Sequence, residues 1–149
     1  MNIRPFADAD LAAVHAIQEQ CPQAAQWRPE DYGHLTRGRG GTVLVAEIAS
    51  ANPPEVAGFI AFHRVMDEAE LRNLAVHPAH QRKGIARALA EAGFRALQAA
   101  GVRRLFLEVR ASNQPALAFY ASAGFQLLYT RRDYYENPVE DAQVMARDI

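Results

Sequence analysis

"LRNLAVHPAHQRKGIARALAEAGFRALQAAGVRRLFLEVR" (residues 71–110) contains two strand-like apolar segments with a longer helical segment between them. From Ile85 to about residue 100, small and apolar side chains recur every three or four positions, which predicts a helix that ends at Gly101. A strand, a long helix and a second strand in that order predict a crossover that makes the two strands parallel neighbours.

Shorter elements flank this crossover on both sides. Before it, "NIRPF" predicts a strand, Asp8 the N-cap of a helix to about residue 20, and Pro29 the start of a second helix. Residues 42–49, 56–66 and 68–78 predict an antiparallel meander. After it, residues 112–124 predict a helix, and residues 125–135 and 141–149 a terminal hairpin. The fold class is therefore α/β, with a mixed sheet in one domain over residues 1–149.

Composition excludes several classes of protein. Hydrophobic residues make up 50% of the chain, so a two-layer core is feasible. The formal net charge of −1, from 16 basic and 17 acidic residues, argues against a nucleic-acid binder. Cys21, the single cysteine, excludes an internal disulfide and fits a reducing compartment. With no signal-peptide pattern at the start and no apolar run of ~20 residues, we expect a cytoplasmic protein without a membrane or metal partner.

The basic segment Gln81–Arg87 precedes the predicted long helix and offers an anion site. The first N–H groups of a helix lack intrahelical partners and lie at the positive end of its dipole. Gly84 permits a tight turn and close approach of a ligand, and three basic side chains lie nearby. A phosphate or pyrophosphate fits such a site. An ordinary solvated helix start is an equally good explanation of these residues alone.

Three residues further along are candidates for chemistry. Glu108 interrupts an apolar strand on the face opposite Leu105, Leu107 and Val109, and partial desolvation would improve its carboxylate as a general base. An exposed edge-strand glutamate is the alternative. Asn113 fits a helix cap, and Tyr120 alone would fit a core tyrosine.

These segments together resemble the GCN5-related N-acetyltransferases (GNAT). Gln81-Arg82-Lys83-Gly84-Ile85-Ala86 matches the family's acetyl-CoA signature [QR]-x-x-G-x-[GA], and "EVRASNQPALAFYASAGF" (108–125) matches a second family segment. Within the family, the second block is most similar to the bacterial ribosomal-protein alanine N-acetyltransferases of the RimI type. The resemblance implies a mostly antiparallel sheet of six or seven strands with a central parallel pair, flanked by about four helices.

The resemblance also implies the roles of individual residues. Glu108 would be the general base and Tyr120 the general acid. The cosubstrate acetyl-CoA would be held by a set of residues from the strand, the loop and the two helices: Leu74, Ala75, Val76, Arg82, Lys83, Gly84, Ile85, Ala86, Arg87 and Asn113. The acceptor would be the α-amine of a protein N-terminus, and the enzyme a monomer or homodimer.

The acceptor side is less constrained by the residues. Trp27, Tyr134 and Tyr135 are candidates for an acceptor groove, and core or rim aromatics would fit equally well. Asp67, Glu68 and Glu70 would favour a basic peptide if they lined that groove, whereas a solvated acidic turn is the simpler explanation. Three other functions remain open: acetylation of a small-molecule amine or lysine side chain, a non-catalytic acyl-CoA-binding module, and a phosphate-ligand binder.

Overall fold

One mixed sheet of seven strands runs through the protein, with helices packed on both of its faces. The computed structural model describes residues 1–50 and 52–149. In these residues the elements are, in chain order, β1 (Asn2–Pro5), α1 (Leu11–Glu19), α2 (Pro29–Arg37), β2 (Gly41–Ile48), β3 (Glu55–Val65), β4 (Glu68–Val76), α3 (Ile85–Ala99), β5 (Arg104–Arg110), α4 (Gln114–Ser122), β6 (Gln126–Tyr135) and β7 (Glu140–Asp148). The predicted order of elements and the mixed α/β fold are confirmed.

The two faces of the sheet build two core clusters because side chains alternate along each strand. On β3, Ile60 and Phe62 pack with Leu89 of α3, whereas Phe59 packs on the opposite face with Tyr32 of α2. All five of these residues are fully buried. Helix α3 therefore covers one face, and α1 and α2 cover the other.

The strands lie in the order β1-β2-β3-β4-β5-β7-β6. The meander of β2, β3 and β4 is antiparallel, β4 and β5 are parallel, and β6 and β7 form an antiparallel pair, as predicted. The two strands of the terminal hairpin do not follow chain order in the sheet: β7, and not β6, lies next to β5. Strand β6 is consequently an edge strand, and β5 is an interior one.

The central parallel pair is short, and its two strands then separate. Only Glu68–Glu70 of β4 pairs with 104–106 of β5. Beyond that point β4 keeps its register with β3 alone, and β5 with β7 alone, within the described residues. The separation leaves a wedge between the second halves of β4 and β5. The loop that precedes α3 and the helix α4 both follow directly from the strands that border this wedge.

The predicted cap at the start of α1 is wrong. A 3₁₀ turn at Asp8–Asp10 precedes the helix, and α1 begins at Leu11. Asp10, not Asp8, receives the free backbone group: its carboxylate accepts from the Ala7 N–H at 2.8 Å and binds the Arg4 guanidinium through both oxygens. The ion pair with Arg4 on β1 is a long-range contact that local sequence does not reveal.

Candidate active site

The loop between β4 and α3, residues 77–84, presents a row of free backbone N–H groups. In the described part of the chain, no N–H from Arg82 to Arg87 donates to a protein acceptor; the first helical bond runs from Ala88 N to Gly84 O at 3.0 Å. Arg82 and Gly84 both have left-handed backbone conformations, with φ of 63° and 81°. Six free N–H groups at a helix start make an anion site.

Gly84 is required here by conformation and not by crowding. Its φ is one that L side chains rarely adopt, and a Cβ at this position would meet no protein atom within 4 Å. The space in front of Gly84 is therefore open to a ligand. Arg82 and Lys83 are exposed beside it, whereas Arg87 donates to Ser122 Oγ at 2.8 Å and so ties α3 to α4.

The backbone of β4 faces the wedge at alternate residues. His77 N donates to Ala57 O of β3 at 2.8 Å, so the backbone of Ala75 also faces β3, and those of Leu74 and Val76 face away from it. The Leu74 N–H is taken by Asn73 Oδ1 at 3.0 Å. The Val76 carbonyl accepts from Gln81 Nε2 at 3.0 Å and from Cys21 Sγ at 3.3 Å. Of the N–H groups of Leu74 and Val76, only that of Val76 is therefore left to face the wedge, together with the Leu74 carbonyl, within the described residues.

Glu108 lies on β5, which is not an edge strand of the whole sheet, although at Glu108 the strand pairs with β7 alone and its β4 side borders the wedge. The predicted alternation holds, because Leu105, Leu107 and Val109 are buried on the α3 face. The Glu108 side chain is 28% exposed, and its Oε1 accepts from Arg131 Nη1 at 3.0 Å. A hydrogen bond to Glu108 also raises the pKa of the Tyr134 hydroxyl. Arg131 of β6 thus binds one carboxylate oxygen of Glu108, and the side chain stays partly exposed to solvent.

Tyr120 and Asn113 lie on α4, which follows β5. The Tyr120 ring packs 5.4 Å from Phe119 and 5.8 Å from Phe125, centroid to centroid. Burial raises the pKa of its hydroxyl, which therefore stays protonated at neutral pH. Asn113 Oδ1 accepts from Ala116 N at 3.2 Å, so the predicted cap is confirmed.

The three acceptor-groove candidates separate into two groups. Tyr134 and Tyr135 lie on β6, each under an arginine at 4.2 Å from the ring centroid: Arg131 for Tyr134 and Arg110 for Tyr135. An irregular register between Arg131 and Tyr135 turns this end of β6. Trp27 lies on the α1–α2 loop, 4.9 Å from the Tyr32 ring. Glu108 contributes to a raised pKa of both the Tyr134 and the Tyr135 hydroxyl, so these two candidates lie nearer to it than Trp27 does.

An acidic groove of ≈ 330 Å³ runs over the open face of the sheet beside Glu108. Glu68 and Glu70 line it with Glu108, together with the apolar side chains Val65, Phe106 and Tyr129. Asp67 does not; it lines a separate cavity with Arg103. A larger cavity of ≈ 630 Å³ lies between α3 and α4 and contains neither Glu108 nor Tyr120. The volume of a cavity therefore does not identify the place where the reaction occurs in this protein.

Phe106 and Tyr129 line the acidic groove and Arg131 binds Glu108, although none of the three was predicted as a site residue. Phe106 was predictable in part, because it shares the open face of β5 with Glu108. Arg131 and Tyr129 reach the groove only because β6 lies beyond β7 in the sheet. No group of three or more possible metal ligands is found in the described residues. Nor does any helix described here have the length and apolar character needed to cross a membrane.

Comparison with known proteins agrees with this geometry. Residues 11–125 match the model of the acetyltransferase (GNAT) family. The chain is 46% identical, over 99% of its length and 97% of the relative's, to the [ribosomal protein bS18]-alanine N-acetyltransferase of Escherichia coli (strain K12). It is 38% identical to the protein of that name from Haemophilus ducreyi, over 97% of both chains.

A solved structure extends the comparison to three dimensions. The crystal structure of the ribosomal-protein-S18-alanine N-acetyltransferase from Escherichia coli superposes with a TM-score of 0.83, at 35% identity. The match covers 99% of this chain and 93% of that one. The similarity thus includes α1, α2, β6 and β7 as well as the loop before α3.

Proposed function

The chain belongs to the acetyltransferase (GNAT) family and is an N-acetyltransferase, and from this premise we propose that it acetylates the N-terminal alanine of ribosomal protein bS18. The observation that carries the acceptor is the 46% identity to the E. coli enzyme of that name over nearly the full length of both chains. A substrate on a ribosomal protein also favours a cytoplasmic location for the enzyme.

Acetyl-CoA fits the wedge between β4 and β5. The free N–H groups from Arg82 to Arg87 suit its pyrophosphate, and the open space at Gly84 lets the phosphates approach the backbone. Leu74 and Val76 offer backbone groups along the wedge for the amides of the pantetheine arm. Lys83, Ile85, Ala86 and Asn113 complete the proposed binding surface, to which Ala75 contributes by packing β4 against the core.

Glu108 is the proposed general base. An α-amine has a reference pKa of about 7.7–8.0, so much of it is protonated at neutral pH and must lose a proton before it can attack a thioester. The Glu108 carboxylate takes that proton, directly or through water, on the side not occupied by Arg131. The neutral amine then attacks the thioester carbonyl directly, with no covalent bond to the enzyme.

The other two groups act on the thioester. Negative charge develops on the carbonyl oxygen during attack, and the Val76 N–H stabilises it, an effect worth about 3–4 kcal/mol in comparable sites. The departing thiolate has a reference pKa near ~8.5. Tyr120 donates a proton to it, for which a hydroxyl that burial keeps protonated is suited. The phenolate is reprotonated from solvent. The attacking nitrogen loses its second proton to water as the amide forms, and Glu108 releases its own proton to solvent.

The acidic groove supports a peptide acceptor over a small amine. Glu68, together with Glu70, which also lies 3.7 Å from Arg72, favours basic side chains after the N-terminal residue, and Phe106 and Tyr129 offer apolar contact to the peptide. Tyr134 and Tyr135 do not line this groove, but Glu108 contributes to the raised pKa of both hydroxyls, which indicates that they lie near its carboxylate. A second acceptor class, the small-molecule amines, would leave most of this extended surface without a function.

The test is a panel of acceptors presented to the purified enzyme with acetyl-CoA. We expect acetylation of the bS18 N-terminal peptide with Ala first, detected as a mass increase and mapped to the α-amine. A version of the same peptide with a blocked α-amine and free lysines is the matched control and should stay unmodified. Preference for polyamines, aminoglycosides or the blocked peptide would replace this acceptor, and no transfer to any amine would favour a non-catalytic module.

A further inference from the structure

A cluster of buried polar side chains joins three elements on the α1 and α2 side of the sheet. Gln18 of α1, Tyr32 of α2 and Asn73 of β4 are 2%, 0% and 4% exposed. They lie under the α1–α2 loop, residues 20–28, which contains neither helix nor strand. Burial of polar groups is tolerated when their hydrogen bonds are made, so the partners of these side chains reveal what the cluster holds.

Asn73 makes all four hydrogen bonds that its amide allows. Its Oδ1 accepts from Ala25 N at 3.1 Å and from Leu74 N at 3.0 Å. Its Nδ2 donates to Ala25 O at 3.0 Å and to the Tyr32 hydroxyl at 3.2 Å. One side chain therefore fixes the middle of the α1–α2 loop and occupies the Leu74 N–H, which would otherwise face the wedge.

The cluster then continues to the end of the loop. The Tyr32 hydroxyl donates to Gln18 Oε1, and Gln18 Nε2 donates to Trp27 O at 2.8 Å. Backbone groups on both sides of Gln26 are thus tied to α1 and β4. Because the loop lacks regular structure, these bonds account for its position against β4.

The same loop connects with the acidic groove through Arg72. The Arg72 guanidinium lies 5.9 Å from the centroid of the Trp27 ring, and its Nε lies 3.7 Å from Glu70 Oε1. Glu70 lines the acidic groove together with Glu108. A displacement of the loop would therefore disturb the groove at the carboxylates proposed to meet the acceptor.

We propose that Asn73 is a positioning residue that sets the acceptor side of the active site through the α1–α2 loop. It acts on the acceptor and not on the anion site at Gly84, whose partners it does not touch. The identity of the acceptor in this inference rests on the proposed function. The effect of Asn73 on the α1–α2 loop rests on the hydrogen bonds alone.

The experiment compares Asn73→Leu and Tyr32→Phe with the wild type in three measurements. These are the KM for the bS18 N-terminal peptide, the Kd for acetyl-CoA, and acrylamide quenching of Trp27. Trp27 is the single tryptophan of the chain and lies on the loop, so its fluorescence reports the loop without catalysis. Tyr32→Phe keeps the buried ring and removes only the hydroxyl, so it remains informative if Asn73→Leu fails to fold.

Asp10→Asn is the control, because Asp10 is another buried polar residue whose partners, Arg4 and Ala7, lie away from the loop. We expect Asn73→Leu to raise the peptide KM about tenfold, as losing buried hydrogen bonds does, and to increase Trp27 quenching. The Kd for acetyl-CoA should stay within about twofold. Tyr32→Phe should raise the peptide KM and Trp27 quenching by smaller amounts, and Asp10→Asn should change neither.

Three outcomes would overturn the inference. The first is unchanged Trp27 quenching in Asn73→Leu or, if that variant does not fold, in Tyr32→Phe. The second is increased Trp27 quenching with an unchanged peptide KM. The third is a lower kcat at constant KM, because Asn73 would then act on the chemical step and not on the position of the acceptor. Failure of the wild type to acetylate any peptide would remove the proposed function and the acceptor role with it. Trp27 quenching would still decide whether Asn73 holds the loop.

Discussion

Arg131 Nη1 on β6 lies 3.0 Å from Glu108 Oε1 on β5, although β7 separates these two strands in the sheet. The contact crosses a whole strand because both side chains project from the same open face, on which Ala142 and Val144 of β7 lie opposite them in register. Glu108 is therefore oriented from the edge of the sheet, by the strand whose Tyr129 lines the proposed acceptor groove.

Replacing Glu108 by Gln should slow peptide acetylation by about 10²–10⁴-fold, the usual contribution of a general base. The loss should be greatest below the pKa of the acceptor amine, where the base has most to do. A pH profile of kcat/KM measures it, with the Kd for acetyl-CoA as the control that must stay constant. An equal rate across the pH range would remove Glu108 from this role.

Replacing Tyr120 by Phe should lower kcat by about 10²-fold or more, because the leaving thiolate loses its proton donor. The ring contacts with Phe119 and Phe125 are kept, so the melting temperature should change little. Since burial raises the pKa of Tyr120, the wild-type rate should show no decline from ionisation of this hydroxyl up to about pH 10. A decline near that pH that Tyr120→Phe abolishes would contradict the raised pKa.

Gly84→Val should weaken acetyl-CoA binding more than Lys83→Ala, because the backbone N–H groups at the start of α3 hold the pyrophosphate. Gly101→Val is a matched control: Gly101 also has a positive φ, of 92°, and open space around its Cβ position, but it lies at the other end of α3. Each valine costs roughly 1–2 kcal/mol of backbone strain. Of the two valine variants, titration calorimetry should show weaker acetyl-CoA binding for Gly84→Val and not for Gly101→Val. A larger loss of affinity in Lys83→Ala than in Gly84→Val would mean that side-chain charge holds the pyrophosphate.

Asp10→Asn should reduce the free energy of unfolding at pH 7 by about 1–3 kcal/mol, because it weakens a buried charged hydrogen-bond pair. The Arg4 guanidinium lowers the pKa of Asp10 below its ordinary value. A depressed carboxyl pKa contributes stability that is fully present above the unfolded value, ~3.9, and is lost as the pH falls through the folded value. Denaturant unfolding should therefore show a difference in the free energy of unfolding between the wild type and Asp10→Asn that is constant above about pH 5 and shrinks below about pH 4. A difference that persists unchanged in acid would exclude the ion pair as its source.

The order of elements was predictable because its signals are local. Apolar spacing between Ile85 and residue 99 specified α3, and Gly101 marked its end, since helix periodicity and a left-handed stop depend on neighbouring residues alone. The same holds for the cap at Asn113, which bonds a backbone group three residues away. The failure at Asp8 has the complementary cause: Arg4 of β1 draws Asp10 into a pair that no local pattern contains.

Local sequence patterns were sufficient to predict the basic loop before α3, the alternation that puts Glu108 on the face opposite α3, and the family to which these residues point. Tertiary structure alone decided that β7 lies between β5 and β6, that Arg131 therefore meets Glu108, and that Asn73 holds the α1–α2 loop. The physical reason is the range of the interactions. Backbone dihedrals and side-chain periodicity follow from adjacent residues, whereas strand order and the partners of a buried amide depend on contacts between segments far apart in the chain.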